Sequence, residues 1–301
     1  MTMHQMTRVT LFDWHGAAGF HTAGPRPDWQ IRPIGPLPRG DATARATPAG
    51  LVVEPAATDP DTGAPAFRSG GGDDHLKWCA LAAHTSSSGL PGYDAPASGE
   101  LTLRAELAAR VFNAGRHPFG DAVTDAEGDP RLGAGALLAI DRETGLVFDF
   151  FVSNRRIHAV YERMRPPGAR YAAFTCLVPV AERTPDRTHL LEIGLDRSRG
   201  TVHWRVDGRE AHSVGDLGTP LRDHLVIDHG GPAVRATPRQ LACGIGLFTL
   251  LDAVGPDGRA LPHSHRAPHR LWGQGVRLTV RRITVTTDKS EKPDKPEKGE
   301  S

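Results

Sequence analysis

A single carboxylate stands among aromatic residues in one apolar stretch of this sequence, residues 145–163. In the order Phe148-Asp149-Phe150-Phe151, rings flank the acid on both sides. A carboxylate buried among such neighbours is costly unless it has partners or a chemical task, and burial raises the pKa of its carboxyl group. The pattern therefore makes Asp149 a candidate general acid or base.

The same stretch has the pattern of a β-hairpin in the middle of a sheet. Two β-rich apolar runs, Leu146–Val152 and residues 157–162, flank the polar corner at residues 153–156. Successive side chains of a strand point to opposite faces, so alternate residues of the first run should face a cleft and the others a second sheet. The residues predicted to face the cleft are Val147, Asp149 and Phe151, and those predicted to lie between the sheets are Phe148, Phe150 and Val152.

Alternation on two neighbouring segments completes the predicted site. Residues 99–112 are predicted as one long strand that turns Leu103 and Leu107 into the core and its charged residues toward the cleft. We predict that Asp149 handles protons, helped by Glu162 and His158, and that these three residues are catalytic. The predicted substrate-binding residues are Arg104, Glu106, Phe151, Val147, Val160 and, after a long loop, Trp272.

A plainer interpretation competes with this site. Asp149 could instead form an ion pair with Arg104 on a solvated sheet face, the other charges being ordinary surface residues. The loop histidines His263, His265 and His269 have a spacing that suits a metal, but no nearby acid or cysteine completes a ligand set. We therefore predict neither a metal nor a cofactor.

Composition restricts the function classes. Thirty-six Lys and Arg residues balance 35 Asp and Glu residues, so neither a nucleic acid nor an anionic membrane is indicated as a partner. The N-terminus lacks the apolar core of a signal peptide and no run of about 18 apolar residues occurs, which predicts a cytoplasmic protein. Three widely spaced cysteines do not suggest a disulfide framework.

The order of the predicted elements indicates an all-β protein. With 34 Gly and 25 Pro residues, the chain favours a dozen or more short strands joined by turns over long helices. Half-apolar strands need a facing sheet, so we predict one two-sheet antiparallel sandwich over residues 1–287. Residues 288–301, a polar mixed-charge run, are predicted to be a disordered tail.

Three segments together resemble the concanavalin A-like lectin/glucanase jelly roll, especially the laminarinase/lichenase type of glycoside hydrolase. The strand GELTLRA at residues 99–105 is similar to the family's glycine-led strand. The pair THLLEI and TVHWRVDGR, starting at Thr188 and Thr201, is similar to its hairpin, and VRLTVRRITV at residues 276–285 to its closing strand. The resemblance spans about residues 7–287 and implies a jelly-roll sandwich.

The resemblance also identifies a catalytic motif that this sequence lacks. Hydrolases of this type carry E-x-D-x-E on the central strand, whereas with Asp149 as the middle acid the two Glu positions hold Val147 and Phe151. Neither side chain can attack a sugar carbon or donate a proton, so the usual two-carboxylate mechanism is not expected. The chain is similar instead to actinobacterial relatives that keep the sandwich and lose the motif.

These observations predict an intracellular enzyme with a remodelled glucanase-like cleft. It would catalyse acid/base-assisted cyclisation or isomerisation of a small, partly apolar substrate of the secondary-metabolite type. Two alternatives stay open at this point, namely a non-catalytic, carbohydrate-binding lectin-like module and a purely structural or interaction domain. A small-molecule partner is expected under the first interpretation.

Overall fold

The computed structural model describes residues 6–68, 75–251 and 271–290. This part of the chain contains nineteen strands and four short 3₁₀ helices. The strands are β1 (Met6–His15), β2 (Trp29–Ile31), β3 (Thr43–Thr47), β4 (Gly50–Glu54), β5 (Ala57–Thr58), β6 (Pro65–Ala66), β7 (Leu76–Ala82), β8 (Tyr93–Asp94), β9 (Glu100–Phe112), β10 (Ala134–Asp141), β11 (Leu146–Val152), β12 (Arg156–Arg163), β13 (Phe174–Glu182), β14 (His189–Asp196), β15 (Thr201–Val206), β16 (Arg209–Val214), β17 (Leu225–Asp228), β18 (Gln240–Phe248) and β19 (Gly275–Ser290). The 3₁₀ helices are Gly16–Ala18, Ala114–Arg116, Gly120–Ala122 and Arg222–His224.

Two large antiparallel sheets pack face to face, which confirms the predicted sandwich. Sheet A has the order β16-β15-β14-β9-β19-β4-β3, and β1 also pairs with β19. Sheet B has the order β17-β13-β12-β11-β10-β18-β7-β2, and β8 also pairs with β18. The predicted hairpin of β11 and β12 therefore lies in the interior of sheet B, where both of its strands have neighbours.

The core between the sheets is built from alternate residues of facing strands. Leu103 and Leu107 from β9 and Phe148 and Phe150 from β11 are fully buried in one hydrophobic cluster. Trp204 on β15 is also fully buried there, and its indole Nε1 crosses the core to donate a hydrogen bond to the backbone carbonyl of Asp149 at 2.9 Å. Sheet A thus holds the backbone of the central strand of sheet B at the acid itself.

Turn residues fix the register where the sequence predicts a hairpin. Between β15 and β16, Asp207 and Gly208 both have positive φ angles, 52° and 79°. That conformation matches the right-handed twist of the flanking strands, and Gly adopts it without steric cost. The Asp207 carboxylate also accepts hydrogen bonds from the backbone of Leu190 and from His189, both at 2.9 Å, which ties this turn to β14.

The chain termini depart in detail from the sequence-based boundaries. At the N-terminal end, β1 pairs with β19 from Met6 to His15 and is longer than the short strands that the composition favours. Strand β19 ends at Ser290, three residues beyond the predicted end of the domain, and Asp288 accepts a hydrogen bond from the Glu100 N–H. Residues 291–301 of the predicted tail lie outside the described residues. In the described ranges, no helix is long and apolar enough to cross a membrane.

Candidate functional site

A cavity of about 450 Å³ opens on the outer face of sheet B, the face turned away from sheet A. We call it the Asp149 cavity. Strands β7, β10, β11 and β18 supply an apolar lining that includes Leu81, Leu138, Phe151 and Phe248. Four arginines and two carboxyl groups also line it: Arg32, Arg142, Arg163, Arg165, Asp149 and Glu162.

The predicted alternation along β11 is correct. Val147, Asp149 and Phe151 line the cavity, and Phe148, Phe150 and Val152 belong to the core between the sheets. Phe151 packs against the ring of Phe248 on β18, with ring centroids 4.9 Å apart. The acid is therefore flanked along its strand by an aliphatic and an aromatic side chain that face the same cavity.

Asp149 is only 4% exposed and is held from two directions. Its Oδ1 accepts a hydrogen bond from the Ala139 N–H at 3.0 Å, while its backbone carbonyl accepts the Trp204 indole N–H. The pairing of β10 with β11 is otherwise regular from Gly135 to Asp141, but skips Leu138 and Ala139. At this gap the Asp149 side chain accepts the hydrogen bond from the Ala139 N–H, so it takes part in the hydrogen bonding between β10 and β11.

Burial raises the pKa of the Asp149 carboxyl group well above its ordinary value near 3.8. The hydrogen bond from Ala139 opposes this shift, and the negative charge of Glu162 adds to it. Burial disfavours the charged form because the anion loses its hydration. Asp149 therefore keeps its proton to a higher pH than a solvent-exposed aspartate, which makes it a candidate proton donor into the cavity.

Glu162 is the second carboxyl group of the cavity. It lies on β12 directly opposite Val147, so it is a diagonal cross-strand neighbour of Asp149, whose own partner is Val160. Side chains in that relation stand about 7–8 Å apart at the backbone and can both reach one bound molecule. The Thr175 hydroxyl donates to Glu162 Oε2 at 3.1 Å, which orients this carboxyl group. The structure thus brings Asp149 and Glu162 together, as predicted.

His158 lies on the predicted outer face of sheet B, but it lines a different cavity from Asp149. It lies opposite Phe151 and lines a second cavity of about 330 Å³ together with Asp125, Asp129 and Arg156. The imidazole is 6% exposed, and its Nδ1 is buried with no partner among the described atoms. Burial lowers the pKa of His158 to about 4, so the ring is neutral at physiological pH. The expectation that His158 assists Asp149 directly is not supported by this geometry.

Arg104 and Glu106 correct the sequence-based site. Both lie on β9, which belongs to sheet A, whereas Asp149 lies on β11 of sheet B. On the outer face of sheet A, Arg104 forms an ion pair with Glu192 at 3.4 Å. The prediction that they share the cleft is wrong because alternation assigns a face to each residue but not a sheet to each strand. The alternative ion pair between Arg104 and Asp149 is excluded for the same reason.

Val160 and Trp272 lie outside the cavity lining. Val160 is fully buried on the outer face of sheet B, directly opposite Asp149 on the neighbouring strand, and belongs to the same hydrophobic cluster as Phe151. Trp272 packs edge-to-face on Phe119 at 5.4 Å, and its Nε1 donates to the Asn113 carbonyl at 3.0 Å. Trp14, Trp29, Trp78 and Trp204 are at most 5% exposed. None of the five tryptophans, all in the described ranges, lines the cavity.

Several lining residues carry no signal in the sequence. Cys79 and Leu81 come from β7, Phe248 from β18, and Arg32 from the residue after β2. These strands join sheet B through pairings between distant segments, so no local pattern places them near Asp149. Burial raises the pKa of the Cys79 thiol to about 12, which makes it a poor nucleophile. The three loop histidines considered for a metal lie in the part of the chain that the structure does not describe.

Known proteins match the chain both in structure and in sequence. The endo-1,3-beta-glucanase from Streptomyces sioyaensis is 13% identical, with a TM-score of 0.52 over 94% of this chain and 97% of that chain. The laminarinase catalytic domain from Thermotoga petrophila RKU-1 is 13% identical, with a TM-score of 0.49 over 95% of this chain and 100% of that chain. The likeness to the Streptomyces enzyme confirms the predicted glucanase-type jelly roll.

Two matches concern the sequence. The uncharacterized protein L829 of Acanthamoeba polyphaga mimivirus is 26% identical over a 194-residue alignment that covers 45% of each protein. The chain thus spans about half the length of this curated relative. A family model with the description "Family of unknown function (DUF6081)" matches residues 11–289. The chain therefore belongs to the DUF6081 family.

Proposed function

We propose that this protein is an enzyme that rearranges a small, partly apolar molecule in the Asp149 cavity, by cyclisation or isomerisation. The observation that carries the proposal is the buried Asp149 carboxyl group, which keeps its proton and opens onto a cavity of about 450 Å³. Cavities of that size suit small ligands that are largely enclosed. A carboxylic acid kept neutral by its surroundings is a common device for proton donation at neutral pH.

Two carboxyl groups give this cavity an acid and a base. An isomerisation moves a proton from one substrate atom to another, so one group must donate and a second must accept. Asp149 donates its proton to the substrate, and Glu162, oriented by Thr175, accepts a proton from another substrate atom. Return of the proton from Glu162 to Asp149, directly or through water, restores the enzyme without a co-substrate.

The lining of the cavity argues against hydrolysis of a glycan by two carboxyl groups that both lie on β11. That mechanism needs carboxyl groups on both sides of the scissile bond, about 5–5.5 Å apart for retention and wider for inversion. Val147 and Phe151 flank Asp149 on β11 and face the cavity, so this strand offers only one acid. Apolar side chains here favour a substrate with an apolar body.

The lectin-like alternative would use the same face without chemistry. Sugar-binding surfaces of that kind commonly offer an exposed aromatic ring on which a sugar can pack. In the described structure the aromatic residues of the cavity are phenylalanines, of which Phe151 and Phe248 pack against each other. A structural or interaction role would leave the proton on Asp149 unexplained.

We further propose a cytoplasmic location, which the buried free thiols of all three cysteines support.

Comparative metabolomics tests this proposal without knowledge of the substrate. Wild-type protein is incubated with a small-molecule extract of the host, and the products are compared with those of Asp149→Asn and of the matched control Glu106→Gln on sheet A. We expect the wild type and Glu106→Gln to convert at least one compound into another of equal mass. Asp149→Asn should fold, because its amide oxygen can accept the Ala139 N–H, and should lack this conversion.

Four results would contradict the proposal. Equal conversion by Asp149→Asn would remove this acid from the chemistry. A product that has gained water would indicate a hydrolase, and retention of a sugar without conversion would indicate a lectin. Complete inertness of the folded wild type toward the extract would favour a structural role.

A further inference from the structure

Three arginines of the Asp149 cavity, Arg32, Arg142 and Arg165, have no partner in the described structure. Of these, Arg32 and Arg142 influence each other electrostatically. Arg32 follows β2, and its backbone N–H donates to the Cys79 carbonyl at 2.9 Å, which fixes where its side chain starts. Arg142 follows β10 in a tight turn, where the Asp141 carbonyl and carboxylate each accept a backbone N–H at 3.0 Å. Both guanidinium groups therefore project from ordered backbone, yet neither donates a hydrogen bond or forms an ion pair with a described residue.

The acids that could neutralise Arg142 are engaged elsewhere. Glu143, its neighbour in sequence, forms a two-point ion pair with Arg239 at 2.7 and 2.8 Å. Asp141 is fully buried and accepts hydrogen bonds from Gln240 at 2.8 Å and from Thr144. The positive charge at this end of the cavity is thus left uncompensated by the turn that carries it.

Arg163, another arginine of the cavity, differs because its contacts give it a structural role. Its Nε donates to the Thr144 carbonyl at 3.3 Å, and its guanidinium carbon lies 3.7 Å from the centre of the Tyr171 ring. It is 5% exposed and holds loops together. Arg32 and Arg142 make no such contacts, so their placement is not explained by packing.

The positive charges of Arg32 and Arg142 repel each other across the cavity. Loss of solvation, followed by the positive charge of Arg32, lowers the pKa of Arg142, although a guanidinium stays charged in proteins. Four arginines line the cavity against two carboxyl groups, in a protein whose formal net charge is only +1. The proposed function gives Asp149 a proton, so that Glu162 is the one carboxylate among the described lining residues to balance them. Repulsion between like charges is relieved when an anion binds between them.

We infer that Arg32 and Arg142 bind the anionic group of the molecule that enters the Asp149 cavity, an inference that rests on the proposed function. Guanidinium groups match the planar, two-point geometry of carboxylates and also bind sulfate and phosphate. The ligand is thus an amphiphilic organic acid. Its charged end meets Arg32 and Arg142, and its apolar body lies against Leu138, Phe151 and Phe248. Such an anion can approach Asp149 because the protonated acid does not repel it.

A matched pair of fluorescent probes tests this inference on the folded protein. 8-Anilinonaphthalene-1-sulfonate and N-phenyl-1-naphthylamine share one aromatic body and differ in the sulfonate. We expect the sulfonate probe to bind the wild type more tightly, and the double variant Arg32→Gln/Arg142→Gln to weaken its binding at least about tenfold. Affinity for the uncharged probe should be unchanged, which also shows that the double variant is folded. Arg104→Gln removes an equal charge from sheet A and should alter neither affinity.

Further arms identify the binding place and the kind of anion. Val147→Trp should fill the cavity and abolish binding of both probes. Benzoate, benzenesulfonate and phenyl phosphate are compared as competitors, with benzyl alcohol as the uncharged control. Displacement of the sulfonate probe by at least one anion, but not by benzyl alcohol, supports the inference.

The possible failures can be told apart. If both probes bind equally, and the arginine variant changes nothing while Val147→Trp still blocks them, the anion site is refuted and the cavity as a binding site stands. If neither probe binds the wild type, or Val147→Trp leaves binding intact, the proposed function fails together with this inference.

Discussion

Replacing Asp149 by asparagine isolates the effect of its proton on stability. Asparagine has nearly the same shape, and its amide oxygen can keep the hydrogen bond from Ala139 that Oδ1 accepts at 3.0 Å. The backbone carbonyl at this position also keeps its bond from Trp204. What changes is that the variant can no longer release a proton as the pH rises.

The sign and the size of the effect follow from the raised pKa of Asp149. Between the ordinary pKa near 3.8 and the higher folded-state pKa, the folded chain holds a proton that the unfolded chain has released. Each pH unit in that window therefore lowers the free energy of unfolding of the wild type by about 1.4 kcal/mol relative to Asp149→Asn. The stability that protonated Asp149 contributes is fully present below the unfolded-state pKa. It is lost as the pH rises through the folded-state pKa.

Urea unfolding at matched pH values measures this difference. Both proteins are unfolded at intervals from pH 4.5 to 8, and the difference in their unfolding free energies is plotted against pH, so that all other titrations cancel. Glu100→Gln serves as the control. Burial of Glu100 is outweighed by its hydrogen bonds from Arg205 at 2.8 Å and from Thr102, which lower the pKa of this carboxyl group.

Because the titration window of Glu100 ends near its ordinary pKa of 4.5, the difference between the wild type and Glu100→Gln should be flat above about pH 5.5. The unfolding free energy of the wild type minus that of Asp149→Asn should fall as the pH rises. A flat plot for Asp149→Asn would show that the acid is already ionised and solvated in the folded protein. A rising plot would show a carboxylate stabilised by a partner, and either result would refute the reasoning.

Two further predictions concern groups around the same sheet. Trp204→Phe removes the indole N–H that holds the Asp149 carbonyl, whereas Trp29→Phe removes an equally buried N–H without a described partner. Trp204→Phe should therefore lower the unfolding free energy by about 1–2 kcal/mol more than Trp29→Phe in urea titrations, and equal losses would contradict the assigned bond. His158, whose pKa burial lowers to about 4, should stay neutral from pH 8 to pH 5.5 when its ring is followed by NMR. A midpoint near 6.5 would show that the ring is solvated.

The alternation of side chains along single strands was sufficient to predict which face of the sheet many residues occupy. Alternation along β11 separated Phe148 and Phe150, which fill the core, from Asp149, which faces the cavity. The same rule placed Glu162 on the cavity face, because its orientation follows from the period of two on its own strand. Local sequence is sufficient for such statements, since only neighbouring residues decide them.

The rest depends on which sheet each strand joins. Strands β9 and β11 have similar patterns, but β9 pairs with β19, more than 160 residues later, and so belongs to sheet A. Arg104 and Glu106 were misplaced for that reason. Arg32 reaches the cavity through two successive long-range pairings, of β2 with β7 and of β7 with β18. Pairings of this kind leave no mark in the local sequence.

The protonation state of Asp149 at neutral pH tests the central claim most directly. Infrared difference spectra between wild-type protein and Asp149→Asn at pH 7 report the C=O stretch of a protonated carboxyl group separately from the bands of a carboxylate. We expect a protonated-carboxyl band in the wild type that is missing in Asp149→Asn. A difference spectrum that contains only carboxylate bands would contradict it.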